Sequence, residues 1–83
     1  MKRQNRKYNN LNTKISKQII SVVMNSKNWN QRELASAINV HQSTITKVLS
    51  EKRTMSFEVF SRILVLLTDE DCNEFIFRLK NEK

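Results

Sequence analysis

The chain has 83 residues, with 15 Lys/Arg against 8 Asp/Glu for a net charge of +7, a single cysteine, and neither glycine nor proline. That length is one domain's worth, and a domain of this size buries roughly 60% of its unfolded surface, so its core is thin. Cys72 has no partner for an internal disulfide, and with His41 as the only other soft ligand it makes no zinc site.

No apolar run approaches the roughly 20 residues that span a bilayer, and none has signal-peptide form. A soluble cytoplasmic protein without metal or cofactor is therefore expected. Turns must be made by Asn, Ser, Thr or Asp, which favours an all-α chain of short-linked helices over hairpins. The charge is uneven. Residues 1 to 53 hold eleven Lys/Arg and two Glu, whereas residues 54 to 83 hold four Lys/Arg and six Asp/Glu. Such asymmetry is what one face directed at a polyanion produces.

Residues 1–11 form a flexible basic arm, with Lys2, Arg3, Arg6 and Lys7 in its first seven positions. It is either a solvated tail or a segment that touches phosphates or a minor groove. The remainder, 12–83, reads as the folded domain. Ile15, Ile19, Val22 and Val23 recur at helical spacing and predict a first helix over about 14 to 26, capped by Asn12 or Thr13. Asn25 to Asn30 interrupts that pattern, and Trp29 can staple onto Leu34 across the next helix start. Asn30 and Glu33 have capping-box form. A short helix follows, with Leu34, Ala35 and Ile38 inward, and Asn39 ends it in a left-handed conformation.

Val40 enters the core and a third helix begins near His41 or Gln42. Ile45, Val48 and Leu49 make its buried stripe, leaving Gln42, Ser43, Thr44, Thr46 and Lys47 outward. Ser50 to Met55 reads as a polar link carrying Lys52 and Arg53. Ser56 caps a fourth helix with Phe57, Phe60, Ile63, Leu64 and Leu67 on its apolar side. Thr68 and Asp69 mark a fifth start, where Asp69 to Asp71 suit the helix dipole. By period Cys72, Phe75, Ile76 and Leu79 face inward, with Cys72 a core filler and Phe77 left on another face.

The stretch Gln31-Arg-Glu-Leu34-Ala35-Ser-Ala-Ile38-Asn39-Val40-His-Gln42-Ser43-Thr44-Ile45-Thr46-Lys47-Val48 resembles the lambda-repressor-like helix-turn-helix family, which includes Cro-type proteins. The resemblance implies a five-helix all-α fold with the helix-turn-helix at 31–49, and a transcriptional repressor reading the major groove of duplex DNA with the helix at 42–50. It implies phosphate contacts for Gln31, Lys52 and Arg53 and base or backbone contacts for Gln42, Ser43, Thr44, Thr46 and Lys47. Asn39 and Glu51 stand where the family usually has Gly. Asn tolerates the left-handed state; Glu51 is harder to place beside an anionic backbone.

Ala35 is small where two steeply crossing helices must approach closely, and the exposed row from Gln42 to Lys47 suits a major groove. The sequence holds no catalytic set, no phosphate-cradling Gly loop and no small-molecule motif, so an enzyme is not expected. The rival reading is a helix-turn-helix module that binds another protein, as an antirepressor or antitoxin partner would. RNA binding is disfavoured by the lack of interleaved aromatics. A homodimer, pre-formed or formed on DNA, is expected to pair through the last helix, with Phe75, Phe77 and Leu79 at the interface.

Overall fold

The structure is a computed structural model that describes residues 12–81; the basic arm with Lys2, Arg3, Arg6 and Lys7 lies outside the described residues. Five helices follow in order: α1 Thr13–Lys27, α2 Gln31–Ala37, α3 Gln42–Leu49, α4 Phe57–Leu64 and α5 Asp69–Lys80, with no strand among the described residues. Each start carries the cap its sequence promised, except α3. Asn12 accepts from Ile15 at 2.8 Å, and Ser56 accepts from Val59 at 3.2 Å. Asn30 accepts from the Glu33 amide at 2.8 Å while Glu33 accepts from the Asn30 amide at 2.9 Å, closing the capping box.

Among the described residues, three turn the chain with positive φ: Asn28 at 58°, Asn39 at 60° and Glu51 at 63°. Each follows the same hydrogen-bond pattern. At the end of α1, Trp29 N–H donates to the Met24 carbonyl at 2.9 Å and Asn28 N–H to Asn25 at 3.3 Å. At the end of α2, Val40 donates to Ala35 at 2.9 Å and Asn39 to Ser36 at 3.2 Å. At the end of α3, Lys52 donates to Lys47 at 2.8 Å and Glu51 to Val48 at 3.0 Å. These are Schellman motifs, which satisfy carbonyls the helix leaves orphaned and normally recruit Gly for the left-handed residue. Two asparagines and one glutamate serve here instead.

The core is one cluster in which Ile19, Ile20 and Val23 of α1 meet Leu34, Ala35 and Ile38 from α2 and its end, Ile45 and Val48 of α3, Met55, and Ile63 of α4. Trp29, half-buried, packs against it. α1 packs on α3, α4 and α5, and α2 packs on α3. Fully buried Ser16 ties down the link between α3 and α4: its hydroxyl donates to the Asn12 carbonyl at 2.8 Å and accepts from Met55 N–H at 3.1 Å. A buried hydroxyl with both partners met adds specificity at little cost.

The apolar assignments change at several places. Met55, read as part of a polar link, is buried at 2% exposure. On α4, Ile63 is buried and Val59 and Phe60 pack on the cluster, as do Leu66 and Leu67 in the link after it, but Phe57 and Leu64 are exposed because they flank that stripe. On α5, Cys72 is exposed rather than a core filler, and Ile76 is half exposed rather than inward.

The reason lies in Asp71, which sits at 4% exposure. Thr68 accepts from the Asp71 amide at 3.1 Å, and Asp71 accepts from the Thr68 amide at 3.0 Å. With Asp71 facing in, the inner positions become 71, 75 and 79, spaced by four, so Cys72 and Ile76 are rotated out. Burial alone raises the Asp71 carboxyl, but hydrogen bonds from Ser26 and Thr68 and the charge of Lys27 leave it below its ordinary 3.8. A depressed carboxyl contributes stability above its unfolded value, and that contribution is lost as pH falls through the lower folded value.

Asn39→Ala is expected to destabilise by about 1 kcal/mol, because Ala pays the left-handed cost without the local polar compensation of Asn, while Asn39→Gly is expected to be neutral or stabilising. Urea unfolding of the three proteins checks this. Equal midpoints for Ala and Asn would contradict the role given to that turn.

Candidate nucleic-acid interface

α2 and α3 are joined by four residues, 38 to 41, that leave no slack. Ile38 is buried, Asn39 reverses the chain, and Val40 packs on the core. A brace from outside the motif holds this turn. One Arg62 amine (Nη1) donates to the Ile38 carbonyl at 3.0 Å and to the Asn39 carbonyl at 3.4 Å, and the other (Nη2) pairs with Glu58 at 3.0 Å. Arg62 therefore fixes the angle between α2 and α3 from α4. Nothing in the local pattern around Arg62 signals this, since the contact spans more than twenty positions.

Ala35 is buried at 3% exposure on the α2 side facing α3. A longer side chain there would force the helices apart. With Ile45 and Val48 buried, the opposite face of α3 is turned to solvent: Gln42, Ser43, Thr46 and Lys47 are exposed and Thr44 is half-buried. His41 makes no side-chain cap at the start of α3. The Thr44 amide donates to the His41 carbonyl at 3.0 Å, which leaves the Gln42 and Ser43 amides at an end of α3 where the helix dipole favours an anion.

Gln31 and Thr46 form a polar tie between the two helices. The Thr46 hydroxyl donates to Gln31 Oε1 at 2.6 Å and lies 3.2 Å from the Gln42 carbonyl. With its oxygen occupied, the Gln31 amide presents its NH2 donors. Asn30, Gln31, Arg32 and Gln42 line a shallow open depression there. Arg32 was not among the residues singled out from sequence, yet it stands beside Gln31 in the first turn of α2 and is exposed. Its only sequence signal is a positive charge next to a motif Gln.

At the far end of α3, Lys52 and Arg53 are exposed on the loop that follows. Glu51 precedes them, and its carboxylate pairs with Lys17 Nζ at 3.3 Å. The sequence-predicted contacts thus fall on the start of α2, the outer face of α3 and the loop after it. Away from these, Phe77 is 61% exposed and Ile76 50%, whereas Phe75 and Leu79 are half-buried on α5. No group of residues suited to a metal occurs among the described residues.

A helix-turn-helix family model of the XRE, lambda-repressor-like type matches residues 14–68, more than half of the chain. The chain belongs to this family. It is a DNA-binding helix-turn-helix protein of a regulatory family whose members are typically not enzymes. No curated protein and no solved structure matches it. The matched span covers α1 to α4 and the Thr68 cap. No helix among the described residues is long and apolar enough to cross a membrane.

The two departures from the helix-turn-helix pattern are resolved by backbone geometry. Asn39 and Glu51 both adopt the left-handed conformation that the usual Gly supplies.

Proposed function

We propose that this protein is a sequence-specific transcriptional repressor of phage or plasmid type, cytoplasmic, that reads duplex DNA by laying α3 in the major groove. Residues 12–83 act as the DNA-binding domain and 1–11 as its basic arm. The observation that carries the reading is the outward row of α3. Gln42, Ser43 and Lys47 are exposed there on a helix whose angle is set by the buried Ala35 contact and the Arg62 brace. Within this reading Gln42 pairs with a base, adenine being its best bidentate match, and Ser43 and Thr44 touch neighbouring base edges. Thr46 keeps Gln31 aimed at a phosphate, and Lys47 meets the backbone or a base beside it. Lys52 and Arg53 with the arm residues Lys2, Arg3, Arg6 and Lys7 neutralise phosphates.

The second reading, a module that binds another protein, is favoured by one observation: Ile76 and Phe77 are adjacent, large and exposed on α5. We assign that surface instead to a second copy of the chain. A single reading helix covers too few base pairs to compete against a genome, and a twofold pair would set two helices roughly 34 Å apart, one DNA turn. Phe77 is the centre of that contact, with Phe75 and Leu79, half-buried toward the inner side of α5, at its edge.

Gln42→Ala is expected to relax discrimination at one base pair of each half-site by about 1–3 kcal/mol, whereas Lys52→Ala weakens all duplexes alike and lowers the salt slope by about one. Removing residues 2–7 flattens the slope further while leaving thermal unfolding unchanged. Selection of bound duplexes from a random pool, followed by titration over a salt series, reads all three. Unaltered base preference in Gln42→Ala would remove Gln42 from the reading set.

Sedimentation tests the pairing. Phe77→Arg is expected to remain folded and to shift the protein to monomer, with or without a duplex carrying two half-sites. If the variant still pairs on that duplex as the wild type does, α5 is not the interface.

A further inference from the structure

The half of the chain that carries the interface contains two carboxylates, Glu33 and Glu51. Glu33 is consumed by the α2 capping box, where it accepts from the Asn30 amide. Glu51 has no such use. It sits at φ 63°, in the left-handed conformation that is costly for a residue with a Cβ. It also follows the C-terminus of α3, where the helix dipole disfavours negative charge. Finally, it precedes Lys52 and Arg53 on the loop assigned above to phosphates. Conformation, dipole and setting all oppose a glutamate at this position. A local rule broken in this way, without a structural gain, points to function.

Among the described residues one contact engages the carboxylate: Lys17 of α1 donates to it at 3.3 Å, with both side chains about two-fifths exposed, at 43% and 42%. An exposed pair of this kind is exchangeable, because solvent and salt screen it and a phosphate can replace the carboxylate.

We propose that Glu51 is an affinity-limiting residue of the DNA interface, holding Lys17 away from phosphate and repelling the backbone next to Lys52 and Arg53. The inference rests on the duplex-binding reading above. In the free protein Lys17 is occupied by Glu51 rather than available as a phosphate contact. On a duplex, the carboxylate either keeps Lys17 or gives it up and stands unneutralised near the phosphates. In both cases one cationic contact is subtracted. Binding is therefore weaker and less salt-dependent than the exposed basic residues alone would give.

The test is duplex binding by fluorescence anisotropy over a salt series, with wild type, Glu51→Gln, Glu51→Gly, Lys17→Gln and the double variant Lys17→Gln/Glu51→Gln. Glu51→Gln keeps the chain length and the left-handed demand, and removes only the charge. It is expected to bind roughly fivefold tighter near 0.1 M salt and to steepen the slope by about 0.9, one more phosphate neutralised. Glu51→Gly is expected to show the same binding gain together with a raised unfolding midpoint. Lys17→Gln is expected to weaken binding with little change in slope, and the double variant to return to the wild-type slope.

Unchanged affinity and slope in Glu51→Gln would overturn the proposal. So would a steeper slope that persists in the double variant, since Lys17 would then not be the released cation. If wild type itself shows no salt-dependent duplex binding, the duplex reading fails, and this inference falls with it.

Discussion

Everything in this molecule depends on ending helices without glycine. α1, α2 and α3 are packed around one small core, so each must stop abruptly and hand the chain on in a fixed direction. The left-handed residue that does this is normally Gly, because a Cβ there crowds the following carbonyl. Here Asn28, Asn39 and Glu51 take that conformation, and the paired backbone bonds around each one hold it. The turn at Asn39 matters most. It sets α3 across α2, and the buried Ala35, Ile45 and Val48 fill the crossing only at that angle. Arg62 then closes the turn from outside by capping the Ile38 and Asn39 carbonyls.

From that constraint the interface follows. α3 has two faces: the apolar one is consumed by the core, so the polar one from Gln42 to Lys47 has nowhere to go but outward. The tie between Thr46 and Gln31 makes the start of α2 and the middle of α3 a single rigid surface. Basic residues flank it at Arg32, Lys52 and Arg53. In the C-terminal half, Asp71 is engaged in a capping box, and Glu58 and Glu74 in ion pairs with Arg62 and Arg78. An excess of positive charge in the half that carries this surface is what a polyanionic partner requires.

Most of this was legible in the residues. The caps at Asn30, Ser56 and Thr68, the left-handed Asn39 and the inward Leu34, Ala35, Ile38, Ile45 and Val48 are local patterns, and local patterns survive folding. What could not be read was long-range or rotational. The Ser16 hydroxyl meets Met55 across 39 positions, so a residue in a polar stretch became core. On α5, the apolar residues at 72, 75, 76 and 79 fit a stripe equally well through two rotations. A buried Asp71, held by Thr68 and Ser26, selects the rotation that exposes Cys72 and Ile76. Hydrophobic periodicity cannot foresee an aspartate that wins an inward place through hydrogen bonds.

The central claim is that the α3 outer face and its flanks meet DNA, while α5 meets protein. Amide chemical-shift mapping by NMR on adding a duplex from the selected pool tests it most directly. The account predicts large shifts at Gln31, Arg32, the 42–47 face of α3 and the 51–53 loop. It predicts that Ile76 and Phe77 respond only to a change in pairing, measured separately by dilution of the free protein. Shifts concentrated on Ile76 and Phe77 at constant pairing, with the α3 face unmoved, would contradict it.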